Sequence, residues 1–434
     1  MAKIIPFKAL QYSTSRVPIQ DVVTQPYDKI SKEMQQRYYD LHPNNLVRIL
    51  LGKSEPHDNS EDSVYTRAAK HLAHWRKDGV IEESERPSLF AYFQKFKTPG
   101  TDEVLVRKGF VCLLRLEDYA KQIVFPHERT MKGPKKDRLE LLRHTRTHFG
   151  QVLLMYSDKD EQIDLLLEEI ATIPAEMVVL DEHEVEHSVW RISDANQIKV
   201  IQSAMADRKV LIADGHHRYE TALAFRDEMR KSESESGCES HEWLMTTMVN
   251  MESKGVAILP THRVLSGLPA YEFSSLIDLA SEYFEMLEVS DLESIESGLT
   301  SHGKERPTIG LCSEGVEHCL LLKLRSDVEL PALLPTMSEQ QVQLDVVILH
   351  QLILDKCLGV SERDAVDGKY LSYERGLDKA VRRVRSQDAQ LAFLLNPTRM
   401  DQVREIAFRG EVLPQKSTDF FPKVLSGFTM YSVD

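Results

Sequence analysis

A short apolar run, Val210-Leu211-Ile212-Ala213, stops at Asp214-Gly215, and Tyr219, Ala222, Leu223 and Phe225 then recur at helical spacing. Such a run, bounded by a breaker, reads as a buried strand, and the spacing after it reads as an amphipathic helix. Residues 209–223 therefore pass from strand to helix within about two residues. Any fold this chain adopts must place a strand end and a helix N-terminus at one point. A junction of that kind directs unpaired backbone N–H groups and the positive end of the helix dipole at whatever docks there. Gly215 permits close approach of a ligand to the backbone. Asp214 suits a helix cap, a metal ligand or a base. His216, His217 and Arg218 are costly to bury without anionic partners. A plain cap needs only one of these five residues, so the motif is read as a binding site. Neighbouring histidines point apart on a helix and rarely ligate one ion, which argues against a metal hydrolase built on His216 and His217.

Length predicts two or three domains for 434 residues. No apolar run approaches the ~20 residues that span a bilayer, and the first residues lack the apolar core of a signal peptide. The net charge of −14 opposes a protein whose main task is gripping phosphate backbones. Five scattered cysteines without metal-type spacing suit a reducing cytoplasm with free thiols. The reading is therefore a cytoplasmic protein without membrane or nucleic-acid partners, and a homodimer is left open.

Along the chain, Val22-Val23-Thr24 reads as a strand ending in a Pro26-Tyr27-Asp28 turn. Helices are predicted at about 32–41 and 62–80, and strands at 88–94 and 104–116. Gly52-Lys53-Ser54 resembles the end of a phosphate loop, but the glycine required five positions earlier is Val47. Glu128 and His127 follow a strand end, and Lys135, Lys136 and Arg138 come next in a basic turn before a helix at 137–147. A strand is expected at 151–156, and extended segments at 176–180 and 189–192. Residues 232–239 read as a flexible acidic Ser/Glu loop. Strands follow at 244–249 and 256–259, with His262 and Arg263 at a strand end. The C-terminal part is read as a helix at 271–284, strands at 307–312 and 318–324, a helix at 344–357, a strand at 390–395 and a helix at 399–407. Lys416-Ser417-Thr418, in a proline-bounded loop, has the groups to hold an anion.

Taken in order, these blocks resemble the DUF1015 family of large bacterial and archaeal proteins. The resemblance runs through Gln25-Pro26-Tyr27-Asp28, Asn45 to Arg48, Pro126 to Thr130, Lys136 to Leu139 and Ala213 to Ala222. It continues through Leu344-Asp345 with Leu349-His350, and Pro414 to Thr418 with Pro422-Lys423. The junction motif is also similar, more distantly, to the phosphate-binding signature of the ParB/sulfiredoxin-like superfamily, which includes nucleotide switches and free-serine kinases. That resemblance implies an α+β (mixed α/β) fold: an N-terminal segment 1–85, a ParB-like core 86–265 and a C-terminal α/β domain 266–434. Residues 159–193 then enter as an insertion. Sulfiredoxin's catalytic cysteine has no counterpart, which argues against sulfinic-acid reduction.

The same resemblance implies roles. Glu128 acts as general base on a substrate hydroxyl, and Asp214 holds metal or substrate. Gly215, His216, His217 and Arg218 contact phosphates, joined by Lys135, Lys136 and Arg138. His127, Arg48, His262, Arg263, Lys416, Ser417 and Thr418 are candidates for substrate or anion contacts. Mg²⁺ and ATP, or ADP or CTP, are the implied cofactors. The expected function is a nucleotide-dependent kinase for a small hydroxylated metabolite, with free L-serine foremost. The alternative is a nucleotide-binding regulator without fast turnover.

Overall fold

A computed structural model describes residues 1–128, 132–232, 239–269 and 271–433. Arg129, Thr130, Cys238 and most of the expected acidic loop lie outside the described residues. The chain divides into two units: residues 1–126, 130–257 and 422–434 form unit 1, and residues 127–129 and 258–421 form unit 2.

Unit 1 is built on strands β1 (Ile4–Ile5), β2 (Leu89–Lys97), β3 (Val104–Arg115), β4 (Val124–Phe125) and β5 (Val152–Tyr156). These are joined by β6 (Met177–Leu180), β7 (Glu186–Ile192), β8 (Val210–Asp214) and β9 (Trp243–Asn250). Among the described residues they form a nine-stranded sheet of order β4-β8-β5-β9-β3-β2-β7-β6, with β1 against β3. The β4–β8 and β5–β9 pairs are parallel, and β8 runs antiparallel to β5. Every residue of β9 is buried, as expected of a continuous apolar strand covered on both faces. The helices of unit 1 include α1 (Lys32–Leu41), α2 (Val64–Lys77), α3 (Lys132–Thr145), α4 (Gln162–Ile170), α5 (Ala195–Met205) and α6 (His216–Ser232). Ile163 and Leu167 of α4, with Ile198 and Ile201 of α5, pack into the sheet's core.

Residues 1–85, expected as a separate segment, share this unit. Ile4 pairs with Leu114 and Ile5 with Leu113, while Leu72 and Trp75 pack in one core with Leu141, Phe149 and Met430. Residues 159–193, expected as an insertion, supply α4, β6 and β7, and β7 pairs with β2 along its whole length. An appended loop has no partner of that kind; these residues are part of the sheet.

The predicted strand at 22–24 is instead a short helix, Ile19–Val22, opened by Pro18, and Thr24 makes a single bridge to Ser426. The basic turn is also helical, because α3 begins at Lys132. Pro134 then falls in the first turn, where its missing N–H is not needed.

Unit 2 contains β10 (His262–Leu265), β11 (Phe284–Val289), β12 (Thr308–Ser313), β13 (Cys319–Leu324), β14 (Leu371–Glu374) and β15 (Leu391–Leu394). They form an antiparallel sheet of order β11-β13-β12-β15-β10-β14. Helices α7 (Leu292–Gly303) and α9 (Leu377–Arg385) cover it through Ile295, Leu299, Ala380 and Val384. Between them lies α8 (Asp345–Ile348), which widens into a π-helix over Leu349–Cys357. The last helix, α10, spans Met400–Phe408.

The expectation of free thiols fails for one pair. Cys312 and Cys319 form a disulfide with Cα atoms 4.6 Å apart. The register Leu311↔Leu320 of the β12–β13 hairpin sets these two cysteines opposite each other, at the close spacing of facing residues in an antiparallel pair. Cys112 and Cys357 are free, and burial pushes the Cys112 thiol up to about 12. No helix among the described residues is long and apolar enough to cross a membrane.

Candidate functional site

The predicted strand-to-helix junction is present, and it lies wholly within unit 1. Strand β8 ends at Asp214, its pairing with β5 shifting register between Ile212 and Asp214, and α6 begins at His216. Gly215 between them has φ +95°, a conformation that side-chain-bearing residues rarely adopt. A Cβ there would stand 3.0 Å from Arg218 Cζ and Nε. Glycine thus suits the position twice, because its backbone tolerates this φ and because an added Cβ would crowd the Arg218 guanidinium. The helix is fastened by Tyr219, fully buried, whose hydroxyl donates to the Glu117 carbonyl at 2.7 Å.

Asp214 sits between two cations. Arg218 Nη2 donates to Oδ2 at 2.6 Å, and Lys423 Nζ donates to Oδ1 at 3.1 Å. The carboxylate side chain is 21% exposed, and the two cations are 12% and 11% exposed. Burial alone would raise the Asp214 carboxyl, but Lys423, Arg218 and Lys29 outweigh it and hold the group well below the usual carboxylate range. Arg218 also donates through Nη1 to the Gln151 carbonyl, and the Gln151 amide is tied to Thr429 at 3.0 Å. Lys423 is fixed at its backbone, since Gln94 Nε2 donates to its carbonyl at 2.8 Å. Charge-assisted bonds of this kind are roughly twice as strong as neutral ones. The result is a pair of cations held rigidly beside the first turn of α6.

Arg218 also forms one wall of a small cavity of about 50 Å³, together with Tyr27, Arg138, Phe149, Gly150 and Thr221. Arg138 lies 4.2 Å over the Tyr27 ring and donates to the Leu50 carbonyl at 2.7 Å. Thr221 is buried, and its hydroxyl has no hydrogen-bond partner among the described residues. The space is far below the ~300–1,000 Å³ of common ligand pockets. It admits a group of a few atoms beside two guanidinium groups, not a nucleobase.

The other predicted residues are distributed unevenly. His216 is buried and His217 half-buried, both in the first turn of α6. Lys135 is ion-paired with Glu220, tying α3 to α6, and Lys136 is exposed. Helical geometry separates these neighbours, so the expected basic clamp reduces to Arg138 within the Arg218 cavity. Arg48 lies 4.4 Å over the Tyr39 ring and donates to the Tyr39 carbonyl at 2.7 Å, a packing role.

Glu128 and His127 belong to unit 2. There the His127 ring Nε2 lies 2.6 Å from Thr418 Oγ1, and that hydroxyl donates to Glu128 Oε1 at 3.4 Å. With the Thr418 proton committed to Glu128, His127 Nε2 is the donor to Thr418. Lys416-Ser417-Thr418 does not converge as an anion loop. Lys416 is exposed at φ +58°, Ser417 donates back to the Pro414 carbonyl at 2.5 Å, and Thr418 is committed as described. Arg263, almost fully buried, organises that loop by donating to the carbonyls of Gln415 and Lys416 at 3.2 and 3.1 Å. His262 accepts from the Leu395 N–H at Nδ1, and burial lowers it to about 4.

Sequence reasoning missed Lys423, Gln151 and Tyr27 as site residues. Lys423 and Tyr27 stand in recognisable blocks, Pro422-Lys423 and Gln25-Pro26-Tyr27-Asp28, but neither block declares its spatial partner. As a metal site the cluster does not fit. Both Asp214 oxygens already accept from cations, and among the described residues no group of three or more His, Cys, Asp or Glu side chains converges to hold an ion.

Comparison with known proteins gives distant likenesses. A free serine kinase in complex with AMP is 15% identical, covers 71% of this chain and 86% of its own, and has a TM-score of 0.36. A conserved hypothetical protein from Pyrococcus furiosus is 13% identical, with coverage of 74% and 94% and a TM-score of 0.34. SbnI from Staphylococcus aureus, with a C-terminal truncation, is 11% identical, with coverage of 73% and 85% and a TM-score of 0.33. No curated protein matches. The family model described as "Protein of unknown function (DUF1015)" matches residues 4–347, and the chain belongs to that family.

Proposed function

We propose that the protein is a nucleotide-dependent phosphotransferase that phosphorylates a small hydroxylated metabolite, with free L-serine the first acceptor to test. The observation that supports this most is the Arg218–Asp214–Lys423 cluster at the N-terminus of α6. Phosphoryl transfer needs positioned positive charge more than covalent chemistry. Asp214 keeps both cations in place before any ligand arrives, so little reorganisation accompanies binding. Arg218 presents a planar fork suited to phosphate oxygens, and the positive end of the α6 dipole adds to it.

In this reading Arg218, Lys423 and the N-terminus of α6 hold the phosphates, and Asp214 positions the cations. Glu128 keeps the role of general base that the sequence resemblance implies, and within unit 2 its carboxylate accepts from Thr418. The acceptor's hydroxyl oxygen forms the new bond to the terminal phosphorus, the bridging P–O bond breaks, and the shortened nucleotide leaves. A magnesium ion carried by the nucleotide would supply further charge neutralisation. The test is a product screen with ATP, ADP and CTP against amino acids and sugars. Acceptor-dependent phosphorylated product supports the kinase. Tight nucleotide binding with no product across the panel overturns it in favour of a nucleotide-gated regulator.

A further inference from the structure

Unit 2 carries a second polar cavity, of about 230 Å³, that the reading above does not use. Its walls include Arg263, Lys304, Arg306, Asp345, Asn396 and Arg399. Two helix starts open onto it: Asp345 and Val346 begin α8 and its π-helical continuation, and Arg399 and Gln402 belong to the start of α10. Each start leaves backbone N–H groups without intrahelical acceptors and carries the positive end of a dipole.

The side chains point the same way. Arg263 is 1% exposed, has no carboxylate at ion-pair distance among the described residues, and its Nε hydrogen meets no acceptor. Its other donors go to neutral carbonyls of Thr261, Gln415 and Lys416. Burial lowers this guanidinium to about 10 although the charge of Glu128 opposes the shift, as for a buried cation that carbonyls alone do not balance. Two acids share the cavity wall with the cations. Glu305 is bound to Lys323 at 2.9 Å. Asp345 accepts from Asn396 at 3.1 Å, and burial raises it to about 6, which weakens its hold on negative charge. Arg306 is paired outside the cavity with Glu285 at 3.1 Å and Arg399 with Asp401 at 3.3 Å. Arg263 and Lys304 have no carboxylate at ion-pair distance among the described residues, and of the lining side chains four are cations and two are acids, in a protein of net charge −14.

We infer that the unit 2 cavity is a binding site for a small dianionic metabolite, recognised through its oxyanion oxygens by Arg263, Arg399 and the two helix starts. A phosphate ester and a dicarboxylate share this chemistry, and the site shares no residue with the Arg218–Asp214–Lys423 cluster.

The test is calorimetric titration of the full chain with inorganic phosphate and, separately, with malonate, on wild type, Arg399→Ala and Arg218→Ala. Arg399 is exposed, so its variant folds. Binding that weakens about tenfold or more in Arg399→Ala, the usual loss for a hydrogen bond to a charged group, and survives in Arg218→Ala supports the site. The better-bound probe identifies the source, phosphate ester or dicarboxylate. Asp345→Asn, which removes a lining acid that has no cation at ion-pair distance among the described residues, should tighten binding. No binding of either probe, or binding lost in Arg218→Ala but kept in Arg399→Ala, overturns the inference while leaving the kinase reading to its own screen.

Discussion

Replacing Asp214 by Asn tests whether the carboxylate's charge, rather than its shape, organises the junction. The substitution keeps size and capping ability but leaves Arg218 and Lys423 without their shared counter-ion. Breaking a buried ion pair costs about 3–5 kcal/mol. Asp214 is one-fifth exposed, and Asn still accepts one of the two hydrogen bonds. The expected loss is therefore about 2–3 kcal/mol, a fall in Tm of roughly 5–10 °C for a unit of this size. The pH dependence has a definite sign. The Asp214 carboxyl is depressed in the folded protein, so its stabilisation is fully present above the unfolded value of about 3.9. It is lost as pH falls through the lower folded value. The Tm gap between wild type and variant should stay flat from about pH 5 to 8 and close only in strong acid. Nucleotide affinity should hold or rise, because phosphate no longer competes with the carboxylate, while turnover falls by about 10²-fold or more as the cations lose their anchor. Thermal melts across pH, with binding and turnover on the same preparations, read all three. Equal Tm at neutral pH together with unchanged turnover would reduce Asp214 to a helix cap.

Three further outcomes are expected. Arg218→Ala should weaken nucleotide binding by about 1.5–3 kcal/mol, and Arg218→Lys should recover only part, since a point charge replaces a fork; calorimetry showing equal affinity in all three proteins excludes phosphate contact by Arg218. Glu128→Gln should leave nucleotide affinity nearly intact while acceptor-dependent turnover drops about 10²–10⁴-fold, and an unchanged rate removes Glu128 from the chemistry. Gly215→Ala should cost about 1–3 kcal/mol in backbone strain and also weaken nucleotide binding, because its Cβ crowds Arg218. Gly410→Ala is the control, with φ +78° and nothing within 4 Å of the added Cβ, and it should show the strain alone.

Local pattern determined much of the molecule. Val210 to Ala213 reads as a buried strand, and Tyr219, Ala222 and Phe225 recur at the spacing of one helix face, because side-chain period is a property of each segment by itself. The same reasoning placed the strands at 104–115 and 243–250 within a few residues, and made Gly215 the pivot between strand and helix. Boundaries set by weaker signals moved. The helix containing Lys135 and Lys136 starts earlier than its apolar pattern shows, since a first turn is polar and accepts proline.

What tertiary structure alone decided is which charges meet. Lys423 reaches Asp214 from 209 residues away, and Gln151 holds Arg218 from 67. Nothing in the periodicity of either segment encodes that pairing. Lys135, by contrast, looked like a phosphate ligand and is held by Glu220 on a facing helix. The cysteines teach the same lesson, because Cys312 and Cys319 face each other only through the register of one hairpin. An ion pair or a disulfide depends on distance in space, which the topology of the sheet sets, whereas strand and helix depend on neighbours along the chain.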